Sequence, residues 1–301
     1  TRQAGRPSSI KRNAFLSRID CAAAAEAITS GVVDHELLER LVLALERLSP
    51  LPLAPVDPAA SAYVWYNDAL HVARFAPLPL ALLTGIDAQR DTVVENGRRL
   101  AKGHAAHDIL LWGVRGGGKS ALVKSSVAAL QAEGLDLALV EVGASDLCKL
   151  PAVFAILEGW TRPAIVFVDD LAFEGGTDAA RSLRSMLEGG ASGRPPHVRL
   201  YVTSNRRHIV ARDMAEQDSA INVRDVVDDR LALADRFGLS LGFHACDQDT
   251  YLAMVSCYAE AFGLAFDETD ALKWSTQRGA RSGRVAWHYT VDLAGRAGRT
   301  L

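Results

Sequence analysis

Ile109-Leu-Leu-Trp-Gly-Val-Arg-Gly-Gly-Gly-Lys-Ser120 is the stretch that decides the reading of this chain. Four apolar residues run into a glycine-rich turn, and Lys119-Ser120 opens the helix-forming run Ala121-Leu-Val-Lys-Ser-Ser-Val-Ala-Ala-Leu130. Strand, Gly-x-x-x-x-Gly-Lys-Ser and helix, in that order, make a phosphate loop. The glycines let backbone N–H groups turn inward around an anion. The following helix aims its N-terminus at the same anion. A lysine at this spacing charges the β and γ phosphates, and a serine hydroxyl suits Mg²⁺. The candidate ligands of ATP–Mg²⁺ are therefore Gly113, Arg115, Gly116, Gly117, Gly118, Lys119, Ser120 and Ala121, with Ser120 on the metal.

Four motifs downstream bear on the same chemistry. Ala164-Ile-Val-Phe-Val168 ends in Asp169-Asp170. A buried strand has no use for two carboxylates at its exit unless they face a cation or a wet cleft. Asp169 suits the Mg²⁺ shell and Asp170 the activation of water. Val198-Arg-Leu-Tyr-Val-Thr203 exits through Ser204-Asn205, whose amide can reach a γ-phosphate or a water. Ala234-Asp-Arg-Phe-Gly-Leu239 carries Arg236, which is either a finger for a neighbour's γ-phosphate or half of a structural pair with Asp235. Gly279-Ala-Arg-Ser-Gly-Arg284 opens the last helical run, with arginines over the phosphates or on a solvated face capped by Ser282.

Outward from these motifs, five short apolar runs read as strands buried on both faces: 109–112, 137–142, 164–168, 198–203 and 240–245. Helical segments lie between them, such as 120–133 and 179–188, which argues for a three-layer α/β fold with ligands beyond the carboxyl ends of the strands. Three helices are expected over 249–262, 268–278 and 282–297. Residues 1–80 read as a helical extension and linker, 81–246 as the α/β nucleotide-binding domain and 247–301 as a helical lid. In the extension, 13–28 is Ala-rich, and Leu37, Leu38, Leu41, Val42, Leu45 and Leu48 make one apolar stripe.

Composition narrows the class. The 301 residues are 49% hydrophobic with a net charge of −3, so no global positive field draws the chain to nucleic acid or to anionic membranes. No apolar run is long enough to span a bilayer, and Thr1–Pro7 lacks the apolar core of a secretory signal. A cytoplasmic location is expected. Cys21, Cys148, Cys246 and Cys257 show no zinc-ligand spacing, and Cys246 and Cys257 are expected as buried free thiols.

Taken together, the phosphate loop, Asp169-Asp170, Thr203-Ser-Asn205, Asp235-Arg-Phe-Gly238 and Gly279-x-Arg281 resemble an AAA+ ATPase over 83–301. Leu-Leu-Trp-Gly-x-Arg-Gly before Gly-Lys-Ser, Thr203-Ser-Asn-Arg-Arg-His208 and Asp235-Arg-Phe-Gly-Leu239 are similar to a bacterial AAA+ family of unknown function related to the replication-initiator and helicase-loader branch. The resemblance implies a parallel sheet of order 5-1-4-3-2. It makes Lys119 and Ser120 Walker A residues, Asp169 and Asp170 Walker B, Asn205 sensor 1 and Arg236 the arginine finger. It gives Arg284 the sensor 2 role, with Arg281 as the alternative, and sets Gly85-Ile86 at the adenine pocket. Asp170 stands where most AAA+ motors carry Glu, one methylene longer, and the Glu188–Pro196 loop lacks the gripping aromatic of unfoldases.

The function implied is an ATP hydrolase working as a homo-oligomer, a ring or open ring, that remodels or loads a macromolecular partner, protein rather than DNA. The alternative is a nucleotide-gated, loader-like module with slow turnover, binding nucleic acid through Arg199, Arg206, Arg207 and Arg212. A small-molecule kinase would not need the Asp-Arg-Phe-Gly segment or the lid.

Overall fold

The computed structural model describes residues 38–43, 57–171, 194–205 and 236–301. The expected helices over 13–28 and 179–188, Cys21, and Arg206, Arg207, Arg212 and Asp235 lie outside them. Residues 38–43 are helical, and Leu38, Leu41 and Val42 of the expected apolar stripe are exposed there, as is Leu43.

The remaining described residues build one sheet and its helices. The strands are β1 (Ala62–Tyr66), β2 (Ala69–Val72), β3 (Ile109–Gly113), β4 (Ala138–Val142), β5 (Ala164–Val168), β6 (Val198–Ser204) and β7 (Leu239–Phe243). The helices are α1 (Asp87–Ala101), α2 (Lys119–Ala132), α3 (Leu150–Glu158), α4 (Gln248–Phe262), α5 (Glu268–Gln277) and α6 (Gly283–Arg296). The sheet order is β2-β1-β4-β5-β6-β3-β7, and the five strands from β3 to β7 are all parallel. Numbered by themselves, those five strands run 5-1-4-3-2, the order of an AAA+ core.

The continuous apolar runs have the cause expected of them. Alternate residues of each inner strand enter opposite cores. Leu110, Val140 and Val166 join the cluster that holds Phe154 and Phe237, while Ile109, Leu111, Leu139, Ile165 and Phe167 join the one that holds Val123 and Val127 of α2. Both faces are covered, so neither position can be polar.

One expectation fails. Residues 62–72 fall within the 1–80 segment expected as helical extension and linker, yet they form a hairpin that extends the sheet beyond β4, with β1 parallel to β4. The turn between its strands, Asn67-Asp68, has φ of 50° and 57°. Two positive φ values in a two-residue loop make a type I′ turn, which Asn and Asp tolerate and whose twist suits a hairpin. The α/β part therefore begins well before residue 81.

The C-terminal helices form as expected, each started by a side-chain cap. Asp247 accepts from Thr250 N, Asp267 from Asp270 N and Ser282 from Val285 N. Tyr251, Val255, Ala271, Ala286 and Tyr289 make their shared core, which also takes in Leu82 from the segment before α1. Cys246 and Cys257 are free thiols but half-buried, and Cys148 is exposed. Among the described residues no helix is long and apolar enough to cross a membrane.

Candidate nucleotide site

The phosphate loop joins β3 to α2 at the carboxyl end of the sheet, where ligands of open α/β folds bind. Gly118 precedes α2 with φ 90°, and no side chain caps that helix, so its first N–H groups are left for a ligand. A cavity of about 320 Å³ opens there. Arg115 to Ala121, Asp169, Asp170, Asn205 and Arg284 line its polar end, and Ile86, Leu78, Met254 and Trp287 its apolar one.

The polar side chains form a connected set. Lys119, only 4% exposed, donates from Nζ to Gly113 O at 3.1 Å, Val114 O at 2.7 Å and Asn205 Oδ1 at 2.9 Å. All three ammonium hydrogens are thus used. Ser120 Oγ and Thr203 Oγ1 both donate to Asp169 Oδ1, at 2.6 and 2.5 Å. Asp169 Oδ2 has no donor among the described residues. Asp170 N donates to Thr203 Oγ1 at 2.9 Å, so one hydroxyl positions both carboxylates. Asp170 has φ 54°, is itself exposed, and accepts at Oδ1 from Asn205 Nδ2. Arg115 stands 3.9 Å from its other oxygen.

Charge follows from this packing. Burial pushes the Lys119 ammonium down to about 8, against the pull of Asp170 and Asp169, and Arg284 pushes it the same way. Three cations, Arg115, Lys119 and Arg284, face two carboxylates, Asp169 and Asp170, in one cavity. The excess of positive charge suits an anion. The site also fits a hard cation beside that anion: the Ser120 hydroxyl and the second Asp169 oxygen are two oxygen ligands on adjoining elements, as Mg²⁺ prefers when phosphates and water supply the rest. Among the described residues no three His, Cys, Asp or Glu side chains gather to hold a metal unaided.

The lid meets the loop directly. Arg284 N donates to Gly116 O at 3.3 Å. A Cβ on Gly116, whose φ is +75°, would stand 2.9 Å from Ser282 Oγ and 3.2 Å from Arg284 Cβ, so only glycine lets α6 start this close. Of the two lid arginines, Arg284 lines the cavity with Lys119. Arg281 lines a neighbouring one, with Val114, Cys246 and Asn205.

Three expected site residues stand elsewhere. Gly113 is buried against Phe243, whose carbonyl accepts from Val114 N, and does not line the cavity. Gly85 also stays out of the lining: it faces Thr250 of α4 (a Cβ there would be 2.5 Å from its methyl), while its neighbour Ile86 turns inward. Arg236 is half-buried beside Leu239, which pairs with Ile109 at the start of β3, not its end. At about 3.3 Å per strand residue this is roughly 15 Å from the phosphate loop of its own chain. Phe237 anchors the segment in the core, and Gly238 lies against His107. Arg199, proposed for a basic patch, is engaged by the carbonyls of Ala106, Pro196 and Val198. The sequence reading overlooked Thr203 as a positioning residue, and Leu78, Leu83, Thr84, Met254, Tyr258 and Trp287 as cavity wall.

Residues 58–297 match a family model described as "Protein of unknown function (DUF815)". No curated protein matches the chain. Among solved structures, the chain is similar to the RuvB Holliday junction branch migration motor of Thermotoga maritima, at 17% identity and a TM-score of 0.47 over 74% of this chain and 67% of that one. It is also similar to the Orc1 protein of Aeropyrum pernix in complex with DNA, at 14% and 0.48 over 74% and 66%. A third likeness is to the replication initiator DnaA bound to AMPPCP and single-stranded DNA, at 16% and 0.48 over 71% and 63%. These are distant likenesses.

Proposed function

The chain belongs to the DUF815 family, and on that premise we propose that it is an ATP hydrolase that acts as an oligomer to remodel or load a macromolecular partner. The observation that carries the reading is the convergence of Lys119, Ser120, Asp169, Asp170, Asn205 and Arg284 on one cavity at the N-terminus of α2. Four separate elements supply these residues: α2 and α6 at their first turns, β5 and β6 at their exits.

The division of labour follows from the contacts. The loop amides and Lys119 bind the phosphates. To do so Lys119 exchanges its contacts with Asn205 and with the loop carbonyls for phosphate oxygens. Ser120 and Asp169 would hold Mg²⁺, which supplies charge neutralisation on the β and γ phosphates. Asp170 accepts the proton of the attacking water, and Asn205, released from Lys119 but still beside Asp170, orients that water. Arg284, brought to the loop by the first turn of α6, stabilises charge on the phosphates.

Arg236 cannot serve its own site from the far end of the sheet. Its role in this reading is in trans, at the phosphates of a neighbouring copy, and this is the reason to assign an oligomer. The partner is a macromolecule engaged by the residues outside the α/β core and lid.

The test is phosphate release from ATP–Mg²⁺ by the purified chain. Asp170→Asn is expected to bind ATP as the parent does and to lose about a hundredfold or more in turnover. Turnover by Asp170→Asn at the parental rate, or no ATP binding by the parent, would remove the assignment.

A further inference from the structure

The order Arg236-Phe-Gly-Leu239 follows from what each residue meets. Phe237 enters the core. Leu239 N donates to Asp108 O at 3.2 Å and starts β7 against Ile109. Gly238, between them, lies on the imidazole of His107. A Cβ at Gly238 would stand 2.2 Å from His107 Nδ1, 2.7 Å from Cγ and 2.9 Å from Cβ, so this close approach admits only glycine. His107 is exposed, and Gly238 is what its ring packs against.

The place of that ring is fixed from behind. Asn96 on α1, only 4% exposed, accepts at Oδ1 from His107 N at 2.9 Å. Its Nδ2 donates to His107 O at 2.9 Å and to Tyr201 Oη at 2.9 Å. One buried amide therefore clamps both backbone groups of His107 and ties them to β6. The neighbours are held as well. Arg199 Nε donates to Ala106 O at 2.6 Å, and the Asp108 carboxylate accepts from Leu200 N at 2.8 Å and from Arg194. So much fixing of an exposed residue serves the position of its ring. The same helix grips β7 a second time, where Gln89 Nε2 donates to Gly242 O at 2.9 Å. Gln89 and Asn96 are seven residues apart, so both lie on one face of α1, about 10 Å from each other. Among the described residues β7 pairs with β3 alone, which makes α1 the second support of the strand that Arg236 precedes.

Resting on the assignment of Arg236 to a neighbour's phosphates, we infer that His107 and Asn96 are positioning residues for it: Asn96 clamps the His107 backbone, the His107 ring seats Gly238, and this seat sets where Arg236 leaves the subunit. An arginine that must meet phosphates on another copy gains nothing from its own cavity's order, so its aim has to come from the surface it stands on. A displacement of about 1 Å at such a group is enough to slow a reaction severely while leaving substrate binding as it was. His107 and Asn96 touch no part of the nucleotide cavity, so their effect is expected in turnover and not in ATP affinity.

His107→Ala removes the ring alone, since the backbone that Asn96 holds stays in place. It should bind ATP–Mg²⁺ as the parent does by calorimetry, with KM unchanged, and release phosphate roughly tenfold to a hundredfold more slowly. Gly238→Ala, which drives a methyl into the ring from the other side, should show the same split. Mixing separates a misplaced finger from a damaged cavity. An equal mixture of His107→Ala with Asp170→Asn should recover toward a quarter of the parental rate, because the cavity of one meets the finger of the other. An equal mixture of His107→Ala with Arg236→Ala should be no faster than the two measured apart, because neither supplies a well-placed finger. Parental turnover by His107→Ala, a matching loss of ATP affinity, or a gain on mixing it with Arg236→Ala would each overturn the inference and leave the ATPase reading standing. Full turnover by Arg236→Ala, or a parent that releases no phosphate, would remove the finger and this inference together.

Discussion

Binding of ATP above neutral pH should draw a proton from solution, and Lys119 is where that proton goes. Burial holds its free-site pKa at about 8, so in the ligand-free protein the ammonium is about half charged at pH 8 and about one-tenth charged at pH 9. A triphosphate beside Nζ restores the charged form. The uptake expected on binding is then about half a proton at pH 8, rising to about 0.9 at pH 9. Affinity should fall by about tenfold for each pH unit above 8, since only the charged lysine binds. The stability of the ligand-free protein moves the other way. Between about 8 and 10.5 the unfolded chain holds the proton and the folded chain does not, so this lysine's contribution rises with pH through that window. Calorimetry of ATP–Mg²⁺ binding at pH 9, in buffers of differing ionisation enthalpy, reads the proton count as a slope. The ATP phosphates are fully ionised there, so the uptake belongs to the protein. Lys119→Arg, charged at every accessible pH, should show none. No uptake by the parent at pH 9 would refute the claim that burial sets the charge of this lysine.

Three further outcomes are expected at the site. Thr203→Val removes the hydroxyl that holds Asp169 and receives Asp170 N, and leaves that N–H unpaired. It should cost about 1–3 kcal/mol in stability by denaturant melting, and raise the Mg²⁺ concentration needed for half-maximal phosphate release. Gly116→Ala puts a methyl on a φ of +75° and 2.9 Å from Ser282 Oγ. Backbone strain alone costs about 1–2 kcal/mol, and the displaced lid should weaken ATP measurably in the same titrations. Arg284→Ala should slow turnover more than it weakens ATP binding, since the arginine serves charge that grows in the transition state, whereas Arg281→Ala should leave turnover near the parental rate.

Much of this was legible because the decisive signals are local. The phosphate loop needs only a strand, glycines and a helix in sequence, and the three caps of the lid helices are single residues next to the runs that they start. The five core strands are readable because burial on both faces makes each a continuous apolar run. The hairpin at 62–72 was hidden by its proline- and alanine-rich approach, although Asn67-Asp68 between two short apolar runs is the signature of its turn. Gly85 was misplaced because sequence does not say which of two neighbours turns inward; contact with Thr250 of α4 decides it. The wall made by Leu78, Tyr258 and Trp287 arises from three distant segments, so nothing in its parts announced it. Trp287 alone had a local cue, standing one turn after Arg284.

The central claim, that each site is completed by Arg236 of another copy, is tested most directly by mixing two inactive variants. Arg236→Ala keeps the groups that bind ATP and activate water, and Asp170→Asn keeps the finger. Each alone should bind ATP and release phosphate at a small fraction of the parental rate. In an equal mixture about a quarter of the interfaces join an intact cavity to an intact finger, so phosphate release should return toward a quarter of the parental rate. Full activity of Arg236→Ala on its own, or a mixture no more active than its two components, would contradict the shared site.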